Sequence, residues 1–252
     1  MKEEFVVALR QIMRLTLDGL RTHCRDGQLM FWNYAFFLVL LLLFVGALGR
    51  DPSVRVILVS GIVTTGIMGT ALFSVGIGMS AARDRGIYRR LSMFPVPASR
   101  FLWAAVLWRW IVACSSAAIQ IVVVRVCFGV RWPGGVATWL VGIAVGSAAF
   151  CGIGFALAGL AKASHRANAY ANMVFVPMLV LSGAALPVVM LPDWLRPASA
   201  LLPSTALVDV LQGAIIRGEG VGATLASLGS MAAWAIGSGV VGAVAWRRRG
   251  LL

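Results

Sequence analysis

The sequence predicts an all-α integral membrane protein with six transmembrane helices. The chain has 252 residues, of which 60% are apolar and only 12% are charged. An average soluble domain is about 45–50% apolar and about 25% charged. The apolar residues form long runs, and the basic residues lie at the ends of those runs rather than in one patch. Such a chain cannot bury its apolar surface in a soluble fold, and the scattered arginines argue against a nucleic-acid partner.

Residues 1–28 are predicted to form a cytoplasmic amphipathic helix that lies on the membrane surface. Its apolar residues recur at helical spacing on one face, and its arginines lie on the other, which is the pattern of an interfacial helix. The apolar face comprises Phe5, Leu9, Ile12, Met13, Leu17 and Leu20, and the polar face comprises Arg10, Arg14, Asp18, Arg21 and Arg25. The alternative is that this helix packs on a soluble partner.

Residues 29–252 are predicted to form a single six-span transmembrane domain. A bilayer core of about 30 Å requires about 20 apolar residues per helix. The runs that meet this length are Leu29–Leu48, Val56–Met79, Trp103–Phe128, Ala137–Leu160, Ala169–Val189 and Val221–Trp246. Six spans place both termini on one side, which carries sixteen basic residues against six on the other. The positive-inside rule therefore predicts cytoplasmic termini. Arg109, within the third run, is expected to extend to a membrane interface.

The segment ARDRGIYRRLSMFPVPASR, between the second and third runs, is expected to form a short, rigid cytoplasmic helix. Ile87, Leu91 and Phe94 share one helical face, and the arginines lie away from it. Pro95 ends the helix, because the residue before a proline is disfavoured in the helical region. A basic loop that only sets topology does not need such a helix. The segment is suited to receive a movement from a partner protein.

Residues 181–213 are expected to form a pair of short re-entrant helices that enter the membrane from the outer face. Four prolines divide this segment into helices too short to span, and Pro177 lies just before it. The segment is too apolar for a solvated loop, and irregular backbone at membrane depth is tolerated where protein or a cavity surrounds it. The four prolines are Pro187, Pro192, Pro197 and Pro203.

Several chemistries are missing from the sequence. A phosphate-binding loop needs a lysine after glycine, and neither Lys2 nor Lys162 follows one. No carboxylate lies in the middle of a run, which argues against a proton-driven exchanger. The few polar or helix-breaking residues within the runs, among them Gln120, Asn172 and Pro177, are candidates for lining a transport path. Ser80, in the pattern Gly78-Met79-Ser80-Ala81, together with His165 leaves an intramembrane serine protease as the enzyme alternative.

Two stretches of the sequence resemble a known family of membrane proteins. They are RDRGIYRRLSMFPVPASR and NMVFVPMLVLSGAALPVVMLPDWLRPASALLPSTALVDVLQG. With these stretches, the chain resembles the membrane-spanning subunits of ABC-2-type ABC transporters, the class that contains bacterial drug exporters of the daunorubicin-resistance type. Where the family often has a glutamate, in the pattern E-x-x-R-G, this chain has only Asp84 before Arg85-Gly86.

The resemblance implies an exporter permease in the bacterial cytoplasmic membrane that binds no cofactor itself. It would pair with a second permease half, identical or different, and with two copies of an ABC ATPase that hold ATP and Mg²⁺. The cargo would be an amphiphilic drug or antibiotic; a glycan or a lipid-linked molecule is the alternative within the family, and a non-ABC channel or secondary transporter the alternative outside it.

The resemblance also implies roles for two sets of residues. Residues 83–95 would form the coupling helix that docks on the ATPase, and residues 187–216 would form the re-entrant helices that close the outer gate. The coupling residues are Arg83, Asp84, Arg85, Gly86, Ile87, Arg89, Arg90, Leu91, Phe94 and Pro95. The outer-gate residues are Ser182, Gly183, Pro187, Pro192, Trp194 and Pro203.

Overall fold

The structure is a computed structural model that describes residues 2–91, 97–129, 135–185 and 191–249, with the side chains of all but residues 2–5, 89 and 91 in these ranges. All the regular secondary structure within these ranges is helical. Five helices are long and apolar enough to cross a membrane. The prediction of an all-α membrane protein is therefore confirmed, and five of the six predicted spans correspond to helices of this kind.

Several helices extend beyond the ends of the apolar runs that predicted them. In chain order they are α1 (Lys2–Arg25), α2 (Gly27–Leu48), α3 (Pro52–Asp84), α4 (Ile87–Leu91), α5 (Ala98–Phe128), α6 (Val136–Leu160), α7 (Ser164–Leu181), α8 (Arg196–Ala200), α9 (Pro203–Gln212) and α10 (Leu225–Arg247). Five residues of α2, Phe31–Ala35, form a π-helical turn, and Gly213–Arg217 form another directly after α9. The span-like helices are α2, α3, α5, α6 and α10.

Local sequence signals set the ends of the long helices. The Asp51 side chain accepts a hydrogen bond from the Ser53 amide at 2.8 Å, and Pro52 occupies the first turn of α3. Both features favour a helix start, because the first amides of a helix have no partner within it. At the end of α5, Gly129 has a φ of +63°, the left-handed conformation in which glycine commonly ends a helix.

Helices α3 and α6 cross closely at the centre of the bundle. A Cβ atom added to Gly154 of α6 would lie 3.0 Å from the Leu72 carbonyl oxygen and 3.0 Å from the Val75 Cβ atom of α3. Helix α10 packs on the opposite part of α6, where Gly242 lies against the ring of Phe155. Apolar lipid does not drive helices together as water does, so small residues that allow close backbone contact stabilise such crossings.

The fifth predicted span corresponds to α7, which is shorter and more polar than the prediction. Helix α7 has 18 residues and is not among the five span-like helices. It runs antiparallel to α3: the Ser164 amide meets Asp84, the ring of Phe175 lies 5.1 Å from that of Phe73, and Ala184 approaches Gly61. The helix begins five residues before the predicted span of residues 169–189, at Ser164. Residues 186–190 lie outside the described part of the chain.

Helix α1 packs along the first turns of α5. The Arg100 guanidinium donates to the Gln11 side chain, and Gly19 lies directly against the indole of Trp108. His23 is 2% exposed, with its ring 5.6 Å from that of Trp108 and 6.1 Å from that of Tyr34. Neither ring nitrogen of His23 has a hydrogen-bond partner among the described residues. This contact leaves a row of exposed apolar residues on α1, namely Val6, Leu9, Met13 and Leu17.

Arg109 is bonded inside the bundle, which differs from the expectation of a side chain extended to a membrane interface. Its Nε donates to the Ser74 carbonyl of α3 at 2.9 Å, and its Nη1 donates to the Ala105 carbonyl at 2.8 Å. Its guanidinium also lies 4.1 Å from the centroid of the Trp108 ring. Two carbonyls and an aromatic face thus stabilise the charge within the protein.

Replacing Gly154 by valine is expected to lower the free energy of unfolding by about 1–3 kcal/mol, because the new methyl groups meet the backbone of α3. The Tm of the purified protein in detergent should fall by about 2–4 °C per kcal/mol. Gly237→Val is the matched control, since no atom lies within 4 Å of a Cβ at that glycine of α10. Equal Tm values for the two variants would contradict the close crossing.

The contact between α1 and α5 is expected to weaken at acidic pH. Burial, and then the positive charge of Arg109, lower the pKa of His23 below 6.5, while Asp26 opposes them. Neutral His23 therefore stabilises the folded state fully above pH 6.5, and this stabilisation is lost as the pH falls from 6.5 through the lowered pKa.

Hydrogen exchange of the α1 amides, corrected for intrinsic rates, should be faster at about pH 5.5 than at about pH 7.5. His23→Phe should remove this difference. His165→Phe, which changes the exposed second histidine of the chain, should preserve it. A pH response that survives in His23→Phe would assign it to another group.

Candidate functional site

A tight turn at the end of α3 positions the short helix α4. The Gly86 amide donates to the Arg83 carbonyl at 2.8 Å, and Gly86 has a φ of +71°, a conformation that side-chain-bearing residues rarely adopt. Arg83 and Asp84 are the last residues of α3, so the short helix begins at Ile87 rather than at residue 83. Two residues separate α4 from a helix of 33 residues, and α4 is therefore held firmly against its end.

Asp84 joins the end of α3 to the start of α7. Its Oδ2 accepts a hydrogen bond from the Ser164 amide at 2.6 Å, and its Oδ1 lies 3.6 Å from the Arg83 guanidinium. The first amides of a helix lack partners within it and carry a partial positive charge, so a carboxylate stabilises this position. The cap comes from a residue 80 positions earlier in the chain.

Two arginines bind the carbonyl end of α6. The Arg83 Nη1 donates to the Ala158 carbonyl at 2.9 Å, and the Arg249 Nη2 donates to the Leu160 carbonyl at 3.0 Å. The last carbonyls of a helix have no partner within it, and cations are favourable there. Arg83 thus ties α3 to α6, and Arg249 ties the segment after α10 to the same helix end.

A column of aromatic rings connects α4 to the bundle. Tyr88 is 6% exposed, and its ring packs edge-on against Trp246 of α10 at 5.6 Å. Trp246 stacks on Phe155 of α6 at 5.9 Å, and Phe155 stacks on Trp103 of α5 at 6.3 Å. The Arg83 guanidinium lies 5.7 Å from the Trp246 ring centroid. We call Tyr88, Trp246, Phe155 and Trp103 the aromatic column. Burial raises the pKa of Tyr88, so this side chain stays neutral.

The surface of α4 that faces away from the column is open. Ile87 is 39% exposed, and Arg85 and Arg90 are exposed as well. The backbone of Arg89 and Leu91 completes the helix, whereas Phe94 and Pro95 lie outside the described residues. The turn, Asp84, Arg83 and the column thus link α4, directly or through neighbouring helices, to five helices: α3, α5, α6, α7 and α10.

The functional residue that the sequence analysis missed is Tyr88, together with its partner Trp246. The helical pattern placed Ile87 on the apolar face, but the structure buries Tyr88 and exposes Ile87. The sequence did contain one signal, a single tyrosine among four arginines. In such a basic segment the large aromatic ring is the side chain that gains most from packing against the protein. Its partner is 158 positions away in the sequence and was not visible there.

The predicted outer-gate residues lie beyond the far end of α7. Ser182 is fully buried and Gly183 turns the chain with a φ of +79°. Pro203 is buried and starts α9, whereas Trp194 is 76% exposed. Ser199 of α8 donates to the Leu181 carbonyl at 2.6 Å, so α8 touches the end of α7. Pro192 precedes α8 and is exposed, and Pro187 lies outside the described residues.

The structure does not bring the three predicted pathway residues together. Gln120 is buried in α5 and faces Gly66 of α3, with its Nε2 3.4 Å from the Ser116 hydroxyl. Asn172 and Pro177 are exposed on α7, and among the described residues the Asn172 side chain bonds only to Asn168 of its own helix. They therefore do not form one path within a single chain.

The geometry of Ser80 does not match that of a protease nucleophile. Its hydroxyl is fully buried in α3 and has no hydrogen-bond partner among the described residues, whereas His165 is exposed at the start of α7. A catalytic serine needs a base within hydrogen-bond reach. The serine protease alternative gains no support from this arrangement.

The chain is similar to known membrane transport proteins. The family model of the ABC-2 type transporter matches residues 10–216. The chain is 28% identical to nodulation protein J of Neorhizobium galegae over 166 residues, which are 63% of this chain and 61% of that protein. It is 22% identical to the inner membrane transport permease YhhJ of Escherichia coli strain K12 over 152 residues, which are 60% of this chain and 40% of that protein. The chain thus spans less than two thirds of these curated relatives.

Removing the Asp84 carboxylate is expected to release the start of α7. Asp84→Ala should lower the free energy of unfolding by about 0.5–2 kcal/mol, the usual range for loss of a helix cap. Hydrogen exchange should rise at the first amides of α7, from residue 164 onward, more than elsewhere. Asp18→Ala is the control, because Asp18 is exposed and its carboxylate pairs with Arg21 of its own helix. Unchanged exchange at residue 164 would refute the cap.

Proposed function

The chain belongs to the ABC-2 type transporter family, and on that premise we propose that it is the membrane-spanning subunit of an ATP-driven exporter. It moves amphiphilic, drug-like or antibiotic-like molecules out of the cell. The observation that carries this proposal is the basic end of the bundle, where an exposed basic helix is tied to five helices of a membrane protein. Such an arrangement serves to transmit a movement, which requires a partner that supplies energy.

The partner is an ABC ATPase in two copies, which holds ATP and Mg²⁺. The open surface of α4, with Arg85, Arg90 and the neighbouring Arg89, docks on it. Positive charge on this helix favours an acidic cleft in the ATPase, because complementary charges steer association and fix its register. Closure of the ATPase then moves α3 and α10 together, through the turn at Gly86 and the aromatic column.

The packing of α7 along α3 supports a topology of six spans with both termini in the cytoplasm. From Asp84 to Gly61 the helix α3 rises about 35 Å, and α7 with its following turn lies alongside this whole length. That distance exceeds the hydrocarbon core of about 30 Å. Helix α7 is then the span with the lowest hydropathy, and the basic end faces the cytoplasm of a bacterial cell.

Helix α1 lies at the cytoplasmic surface of the membrane. Its exposed apolar row is directly flanked on the helix by Arg10, Arg14 and Arg21, which are exposed as well. Apolar side chains in the acyl region with arginines at the headgroups are the arrangement that favours binding to anionic lipid. The contact with α5 fixes this helix to the span that follows the coupling helix.

A second permease half covers the exposed side of α7. Asn172 is an exposed amide within this span, and a polar side chain that faces lipid at that depth is unfavourable. A water-filled pathway or a second subunit satisfies it. Asn172 and Pro177 then line the pathway between two halves, and the segment around Ser182, Trp194 and Pro203 closes it on the outside.

An apolar cavity supports a lipophilic cargo. A volume of about 580 Å³ lies between α5, α6 and α10, and Trp103, Trp110 and Phe155 form part of its wall. Ligand cavities are commonly about 300–1,000 Å³ and mostly apolar. Two of these residues also belong to the aromatic column, so the cavity borders the structure that leads to α4. A glycan cargo would find few hydrogen-bonding groups here.

Reversing the charge of Arg89 and Arg90 together is expected to abolish capture of the ATPase and cargo-dependent transport while leaving membrane insertion intact. The measurement is affinity purification of the tagged chain from its native membrane, followed by mass spectrometry. Arg247→Glu with Arg248→Glu is the matched control, since these two arginines are exposed at the end of α10.

Recovery of a phosphate-loop ATPase with the wild type and the control, but not with the Arg89/Arg90 variant, supports both the exporter and the docking surface. Capture of the ATPase by all three proteins would refute the docking surface alone. Recovery of the wild type without any ATPase under mild detergent would refute the exporter itself.

A further inference from the structure

A polar cavity of about 500 Å³ lies between the end of α7, α8, α9 and α10, at the end of the bundle opposite α4. Its polar lining consists of Ser182, Thr205, Asp209, Gln212, Ser227 and Ser230. The Gln212 Nε2 donates to the Ser60 hydroxyl of α3 at 3.1 Å. Ser60 lies about 36 Å along α3 from Asp84, so the cavity is remote from the basic end.

Helix α9 directs one polar stripe into this cavity. Thr205, Asp209 and Gln212 are spaced by four and three residues, which places them on one helical face. The opposite face is apolar: Leu207 and Leu211 are fully buried. The polar stripe is thus part of an amphipathic helix that is embedded in the bundle and presents its hydrogen-bonding groups to an open volume.

The charges beside the cavity do not balance. The Arg217 guanidinium binds two carboxylates, with Nη2 3.0 Å from Asp209 Oδ1 and Nε 2.6 Å from Glu219 Oε1. One cation between two anions leaves a net charge of about −1 in this cluster. The second oxygen of Asp209, Oδ2, accepts from the Ser227 hydroxyl at 3.0 Å. In a chain with a net charge of +13, this end of the bundle therefore carries a local negative site.

We propose that this cavity binds the protonated amine of a cationic amphiphile. An ammonium group offers only hydrogen-bond donors, and the stripe offers the Asp209 carboxylate and the side-chain oxygens of Thr205 and Gln212. One bound cation neutralises the cluster of Asp209, Arg217 and Glu219. The interaction of opposite charges is stronger in a partly desolvated cavity than in water. The apolar part of the ligand extends past Ala200, Ala206, Val208 and Ala226, which complete the lining.

Binding of an amine in this cavity needs no ATPase and does not depend on the proposed function. Only the statement that the amine is the cargo rests on the proposed function. It narrows the cargo from amphiphiles in general to amphiphiles with a basic nitrogen. A neutral hydroxylated ligand would use the same hydroxyl groups but would gain nothing from the carboxylate. The two ligand classes therefore differ in their dependence on Asp209.

The test compares two probes that differ only in charge. A dansyl-tagged long-chain primary amine and its N-acetylated analogue are titrated onto the purified full chain in lipid nanodiscs, and empty nanodiscs give the signal to subtract. The wild type is expected to bind the amine at least about tenfold more tightly, as for hydrogen bonds to a charged group. Asp209→Asn should bind both probes about equally, and Asp209→Glu should restore the preference.

Asp193→Asn is the matched control. Asp193 lies outside the cavity lining, is 91% exposed in its side chain and pairs with Arg196 at 2.8 Å. This variant should keep the full preference for the amine. Size-exclusion profiles check that each variant is folded. Thr205→Val, which removes one acceptor of the stripe without changing charge, is the second variant in case Asp209→Asn does not fold, and it should weaken amine binding about two- to threefold.

Equal binding of the two probes by the wild type would overturn the proposal, as would an unchanged preference in Asp209→Asn, or an unchanged amine affinity in Thr205→Val where that variant is used. Absence of any binding of the amine probe would also overturn it. A second copy of the chain that covered the cavity would give this result, because the probe could not enter. None of these outcomes depends on recovery of an ATPase, so the exporter and the amine site succeed or fail separately.

Discussion

The Arg83–Asp84 pair at the end of α3 is the interaction on which the arrangement of the bundle depends. Arg83 donates to the last turn of α6, and Asp84 accepts the first amide of α7. Unpaired backbone groups are costly away from water, so the ends of three helices are held where these two side chains reach them. The same pair begins the turn that carries α4. Any movement of α4 thus acts first on these two residues.

Aromatic rings, as well as charged side chains, make the end of the bundle that carries α4 rigid. The aromatic column runs from Tyr88 through Trp246 and Phe155 to Trp103, and it therefore crosses α10, α6 and α5. Stacked rings resist sliding, because their geometry is stabilised only over a narrow range of offsets. Trp103 and Phe155 also line the apolar cavity, so a ligand there would press on the rings that hold Tyr88.

The two ends of the molecule differ in charge and in chemistry. The end that carries α4 has arginines bound to helix carbonyls and an open basic surface. The far end has a small polar cavity with an excess carboxylate at Asp209, in a segment where prolines divide the chain into short helices. Cations favour the carbonyl ends of helices, and anionic sites favour cationic ligands. A protein that couples an energy source on one side to a ligand on the other can use this asymmetry.

The helical class, the approximate positions of five span-like helices and the amphipathic first helix could all be predicted from the amino-acid sequence. Hydropathy and helical spacing are local properties, and a lipid environment leaves helices as the structure for such runs. Only the tertiary structure decided that Tyr88 rather than Ile87 is buried, that Asp84 caps α7, and that Thr205, Asp209 and Gln212 face a cavity. These pairings join residues that are far apart in the chain, because they depend on how each helix is rotated and where it ends. The placement of α7 has the same origin, because its composition is less apolar than that of the five span-like helices and its position along α3 depends on contacts such as the Asp84 cap.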